Sequence, residues 1–128
     1  MNLNQITVPT TDLEASVAFY ETLGMQLIVL AEPRYARFEL PNGDATFSLH
    51  LVDDLQPSSG TYIYFECDDL DARVSTLVEK GIVFDEMPTD QSWLWREARL
   101  RDPDGNLLIF YFAGDNRKNP PWRLRAKT

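Results

Sequence analysis

The hexapeptide Asp12-Leu13-Glu14-Ala15-Ser16-Val17 returns as Asp69-Leu70-Asp71-Ala72-Arg73-Val74, and Gly24 returns as Gly81, each displaced by 57 positions. A repeat of that length restricts a chain of 128 residues to two copies of one supersecondary unit in tandem. Within each copy the hydrophobic period switches between two and 3.6. Leu3 to Val8 alternates as a strand ended by Pro9. Thr11 reads as a helix N-cap with Glu14 completing a capping box, and Leu13, Ser16, Val17, Tyr20 and Leu23 form the inner stripe up to Gly24. Met25 to Leu30, Tyr35 to Leu40 and Ala45 to Val52 follow as strands, the last two joined by the turn Pro41-Asn42-Gly43-Asp44.

The same order restarts after Asp53 to Gly60. Thr61 to Cys67 reads as a strand, and Asp68 or Asp69 caps a helix whose stripe is Leu70, Val74, Leu77 and Val78. Ile82 to Asp85 is a short strand and Glu86 to Ser92 a loop. Trp93 to Leu100 and Asn106 to Phe112 flank Asp102-Pro103-Asp104-Gly105, where proline fixes φ, aspartates bond the turn backbone and glycine supplies positive φ. The expected fold is α+β, two tandem βαβββ modules forming a curved eight-stranded mixed sheet with a helix over one face of each half. The expected boundaries are module 1 over 1–53, a linker over 54–60, module 2 over 61–113 and a C-terminal arm over 114–128, within one domain. The polar and aromatic half of each strand is left to line a concave face.

Composition narrows the partners. The net charge of −8 repels a polyanion, so nucleic acid is not an expected partner. That charge is unevenly spread: residues 1–113 carry 7 basic and 19 acidic groups, whereas Arg117, Lys118, Arg123, Arg125 and Lys127 face only Asp115 in the arm. No apolar run approaches the roughly 20 residues of a membrane helix, and Met1 to Gln5 has neither the basic region nor the apolar core of a signal peptide, so a cytoplasmic location without membrane contact is expected. The single Cys67 excludes an internal disulfide and a cysteine-based metal knuckle. In the arm, Pro120-Pro121 is expected to force an extended path, with Trp122 as an anchor.

The tandem βαβββ order, the Asp12 to Gly24 helix with its D-L-x-x-S-x-x-F-Y-x-x-L-G spacing, and the R-D-P-D-G-N turn at 101–106 resemble the vicinal oxygen chelate superfamily. That superfamily includes glyoxalase I, extradiol dioxygenases, fosfomycin-resistance enzymes and bleomycin-resistance proteins. The resemblance implies a homodimer, and implies that the metal-ligand positions of the metal-dependent members fall on Gln5, Ser48, Tyr62 and Ile109. Of these only Gln5 is a plausible ligand, because Ile109 has no donor atom and neutral Ser and Tyr suit a divalent ion poorly. No metal or other cofactor is therefore expected. The stretch from Trp93 to Asn106 is similar to that of bleomycin-resistance proteins, which sequester a ligand without chemistry.

Three functional readings follow. In the first, an aromatic or cationic small molecule is held by Tyr62, Tyr64, Trp93, Trp95 and Tyr111, with cation–π contacts worth about 0.5 to 2 kcal/mol each and Glu66 and Glu97 as counter-charge. Gln5, Ser48, His50 and Ile109 complete that candidate binding set. In the second, Gln5, His50 and Glu66 serve a divergent lyase, isomerase or dioxygenase. In the third, the module is structural and its own side chains fill the concavity.

Overall fold

A computed structural model of the chain describes residues 1–55 and 60–124. Residues 56–59 of the expected linker, and Arg125 and Lys127 of the arm, lie outside the described residues. The elements are β1 (Gln5–Thr10), α1 (Leu13–Thr22), β2 (Gln26–Ala31), β3 (Tyr35–Glu39), β4 (Thr46–Leu51), β5 (Tyr62–Glu66), α2 (Leu70–Glu79), β6 (Phe84–Asp90), β7 (Arg96–Arg101) and β8 (Leu107–Phe112), followed by a 3₁₀ turn at Gly114–Arg117. The eight strands fall into two four-stranded mixed sheets of identical topology, β1-β4-β3-β2 and β5-β8-β7-β6, each with one parallel pair at the first edge. The chain divides into two compact units: unit 1 is Met1–Thr61 with Arg101–Asn106, and unit 2 is Tyr62–Leu100 with Leu107–Thr128. The R-D-P-D-G-N turn thus belongs with the first repeat, although its strands belong to the second.

In unit 1 the side of the sheet under α1 buries Val8, Ala36, Phe38, Phe47 and Leu49 against Leu13, Tyr20 and Leu23. The Tyr20 ring centroid lies 4.6 Å from Phe47 and 6.0 Å from Phe38. Its hydroxyl emerges from this apolar setting to donate 2.6 Å to Asp102 Oδ2. Asp102, itself buried, also accepts from the Asp104 amide, the Asn106 amide and Asn106 Nδ2 at 3.0, 2.9 and 2.8 Å. Asp104 accepts from the Thr11 amide, the Thr11 hydroxyl and Ser16 Oγ at 2.9, 3.0 and 3.0 Å, at the positive end of α1. Gly105 closes the turn at φ 85°, donating to the Asp102 carbonyl at 3.0 Å.

Several local expectations are corrected. Asp12 is the N-cap of α1 and accepts from the Ala15 amide at 3.1 Å, because the Thr11 hydroxyl is committed to Asp104. Strand β1 continues through Pro9 to Thr10; it is an edge strand, where a missing N–H costs no ladder bond. The expected loop from Glu86 is strand as far as Asp90, on the other edge and broken by register shifts. Val78 is 44% exposed and so leaves the inner stripe of α2, which is Leu70, Val74 and Leu77. Pro120 to Arg123 forms a turn, with the Arg123 amide donating to the Pro120 carbonyl at 2.9 Å, in place of an extended path. Proline at the second position of a turn needs no N–H and sets φ correctly.

The turn contacts have measurable weight. Tyr20→Phe removes one hydrogen bond to a buried carboxylate and is expected to cost about 1.5 to 3 kcal/mol in urea unfolding. Burial raises the Asp104 carboxyl, but bonds from Thr10, the Thr11 amide, Ser16 and the Thr11 hydroxyl outweigh it and hold the pKa below the ordinary aspartate range. The sign follows: this stabilisation is full above the ordinary aspartate pKa and is lost as pH falls through the lower, folded value. Asp104→Asn should flatten the acid limb of the stability profile.

Candidate functional site

Because strand side chains alternate, the residues between the core positions share the opposite face of each sheet. In unit 1 the registers bring Gln5 opposite Thr46, Thr7 opposite Ser48, Arg37 opposite Ser48, and Tyr35 opposite His50. A hydrogen-bonded chain crosses this face. Thr46 Oγ1 donates to Gln5 Oε1, which orients the amide so that Gln5 Nε2 donates to Ser48 Oγ. Ser48 Oγ lies 2.7 Å from the Tyr35 hydroxyl, and Arg37 Nε donates to that hydroxyl at 2.9 Å.

Ser48, fully buried, accepts from Gln5 and keeps a second lone pair, so either hydroxyl can donate in the bond to Tyr35. Arg37 can only donate. The Tyr35 oxygen therefore accepts from Arg37 whichever hydroxyl donates in the Ser48–Tyr35 bond. Burial disfavours the phenolate, but the bonds from Ser48 and Arg37 and the Arg37 charge outweigh it, and the phenol lies below its ordinary range. His50, beside this chain on β4, is exposed.

Unit 2 presents a different face. Trp95 stacks on Tyr111 with centroids 4.6 Å apart and planes 19° from parallel. Tyr64 meets both rings edge-on, at 5.7 Å from Trp95 and 5.6 Å from Tyr111. Ile109 lies in register with Tyr64 and is fully buried in the cluster of Ile109, Tyr111 and Ala113, on which Trp95 and Leu107 pack. Tyr62, Tyr64 and Trp93 remain 53%, 42% and 40% exposed. Glu66 is exposed, opposite Tyr111. The Tyr64 and Tyr111 phenols lie above their ordinary range, through burial first and then the charge of Glu97 for Tyr64 and of Glu66 for Tyr111.

Glu97 is the buried acid of this face. It is fully buried, accepts from Trp93 Nε1 at 2.8 Å and from Arg99 Nη2 at 3.1 Å, and its charge is therefore met inside the unit. The bond to Glu97 raises the Arg99 pKa. Glu86 stands 3.7 Å from Arg99 Nε and accepts from Gln91 Nε2 at 2.9 Å. A separate open groove of about 260 Å³ on the α2 side is lined by Val74, Val78, Met87 and Pro88, with Arg96 held there by Asp71 and Asp90, both at 3.0 Å.

Of the four positions that the family resemblance assigns to metal ligands, three are poor donors as they stand. Gln5 is committed to Thr46 and Ser48, Ser48 is a buried hydroxyl between Gln5 and Tyr35, and Ile109 offers only hydrocarbon. Among the described residues no three His, Cys, Asp or Glu side chains gather as a metal site. Sequence reasoning missed Tyr35, Arg37 and Arg99; the signal for Arg99 was its strand parity with Glu97, whereas Tyr35 and Arg37 are brought beside His50 and Ser48 only by the β3–β4 register.

Comparison with known proteins places this architecture. The family model described as "Glyoxalase/Bleomycin resistance protein/Dioxygenase superfamily" matches residues 2–110. The chain belongs to that superfamily. Among its curated relatives, the uncharacterized protein YraH of Bacillus subtilis (strain 168) is 32% identical over 127 residues, spanning 87% of this chain and 98% of that protein. A trivalent organoarsenical cleaving enzyme of Bacillus sp. (strain MD1) is 27% identical, spanning 94% and 81%. Among solved structures, a glyoxalase/bleomycin resistance protein/dioxygenase from Nocardioides has a TM-score of 0.76 at 26% identity, covering 98% of this chain and 90% of that one. A lactoylglutathione lyase from Agrobacterium tumefaciens, at 16% identity and TM-score 0.71, shares the fold of the superfamily.

The Glu97 cluster yields a stability test. Glu97→Ala leaves the Arg99 guanidinium with Glu86 alone and takes the acceptor from the Trp93 indole, and is expected to cost about 2 to 4 kcal/mol in urea unfolding. Glu97→Gln, which retains an acceptor for Trp93, should cost clearly less.

Proposed function

We propose that the protein is a small-molecule binding member of its superfamily, holding a planar aromatic ligand on the unit 2 face without a metal, in the manner of bleomycin-resistance proteins. One observation carries the reading: the stacked Trp95–Tyr111 pair is braced edge-on by Tyr64, whose own ring stays 42% exposed. Rings already locked against one another lose little side-chain freedom when a further ring joins them. With Glu97 neutralised by Arg99, the ligand is aromatic first and cationic second, Glu66 being the carboxylate left to meet a positive charge. The reading extends to a homodimer working in the cytoplasm.

The organoarsenical-cleaving relatives favour a second reading, an enzyme using Gln5, His50 and Glu66. Soft centres such as trivalent arsenic are bound by thiolates. Here the only thiol is Cys67, which burial pushes up to about 11, so it is protonated at neutral pH. The Gln5 amide is also already committed. Both observations weigh against that chemistry.

A thermal-shift screen of planar aromatic compounds tests the first reading. A hit at 100 times its Kd is expected to add about 2.7 kcal/mol of stability. Tyr64→Ala should weaken that hit about tenfold, the loss of one aromatic contact. Stoichiometric divalent metal in the purified protein that disappears in His50→Ala would instead favour the enzyme.

A further inference from the structure

The polar face of unit 1 holds a cation without a counter-ion. Arg37 donates from its Nε to the Tyr35 hydroxyl, and its Cζ lies 5.4 Å from the centre of the Tyr35 ring. Its ladder partners are Val29 on β2 and Ser48 on β4, one apolar and one neutral. Glu39 shares its strand face but is paired across to Gln26 and Thr46, and no carboxylate among the described residues lies within ion-pair distance of Arg37. The other partly buried arginines of β7 contrast with it: Arg96 is paired with Asp71 and Asp90, and Arg99 with Glu86 and Glu97. In a chain of net charge −8 with 20 acidic side chains, a cation left unpaired on an otherwise ordered face is conspicuous.

The donors around it are pre-set. The Thr46–Gln5–Ser48–Tyr35 chain holds the phenol in place beside Arg37. The two Nη groups of Arg37 are bonded to no acceptor among the described residues. A guanidinium fork whose Nη edge is open matches two oxygens of one carboxylate or phosphate group.

We propose that Arg37 and Tyr35 form an oxyanion subsite on the unit 1 sheet, which takes a carboxylate or phosphate-type group through the Arg37 fork and the Tyr35 hydroxyl. Gln5 and Ser48 are positioning residues that do not touch the anion: with an anion bound, Ser48 donates to the Tyr35 oxygen and leaves the Tyr35 proton for the anion. The protein's net negative charge opposes anion capture at long range, so binding depends on these local donors and is site-specific.

Two-dimensional NMR of the full chain, titrated at constant ionic strength with inorganic phosphate in one arm and acetate in the other, tests this. The expected result is saturable shifts centred on Tyr35, Arg37 and Ser48 with at least one probe; which probe binds tells phosphate-type from carboxylate recognition. Arg37→Leu should weaken that binding at least about tenfold, and Tyr35→Phe by a smaller factor. Ser48→Ala, which removes the bond that holds the Tyr35 hydroxyl in place, should weaken it while leaving the Arg37 contribution, so that Arg37→Leu still weakens binding in that background. Should Arg37→Leu fail to fold, Arg37→Gln is judged by the same criterion. Absence of saturable shifts with both probes, or binding unchanged by loss of Arg37, overturns the proposal.

Discussion

Two carboxylates, Asp102 and Asp104, organise unit 1. A buried carboxylate is costly unless its lone pairs are satisfied, and these are satisfied almost wholly by groups that must be helical or turn-shaped to reach them. Asp102 takes the Tyr20 hydroxyl and the backbone of its own turn; Asp104 takes Thr11 and Ser16 at the start of α1. The turn shape, the start of α1 and the rotamer of the largest core side chain are therefore coupled, and the sheet packs on what they fix. Burial, helped by the charges of Asp102 and Asp104, also drives the Tyr20 phenol far above its ordinary range, so that it acts as a permanent donor.

The two repeats differ most where this coupling sits. At the offset of 57, Ser16 and Tyr20 correspond to Arg73 and Leu77, which can supply neither the hydroxyl for Asp104 nor the phenol for Asp102. The Asp69 N-cap of α2 likewise makes no side-chain cap bond. The duplication has kept the topology and the apolar stripe in both copies while confining the polar anchor to the first. The opposite faces have diverged as well, one to a chain of hydrogen bonds ending in Arg37, the other to stacked aromatic rings around a neutralised buried glutamate.

Much of the fold was legible because periodicity and punctuation agree. Gly24 and Gly81 adopt φ of 106° and 94°, as their places after the helices require. The two superfamily motifs were each readable, but not that they bind each other, since Ser16 and Asp104 stand 88 positions apart. Local rules could not separate Thr11 from Asp12 as the cap, because the choice is made by Asp104 from outside the helix. Of the site, the aromatic set was visible and the role of Glu97 was not. Its neutralisation rests on Arg99, two positions along the same face, and charge alone does not reveal which acid is spent internally. Tyr35 and Arg37 escaped attention because their strand was read only for its alternation.

The central functional claim is that the aromatic face of unit 2 receives a planar ligand. The three tryptophans, Trp93, Trp95 and Trp122, provide the direct measurement, because each indole N–H gives its own NMR resonance and Trp122 lies in the exposed arm. During titration with a planar aromatic hit, the account predicts saturable shifts of the Trp93 and Trp95 resonances with a common Kd, while Trp122 stays still. Saturable binding that leaves Trp93 and Trp95 unmoved, or that moves Trp122 alone, would contradict it.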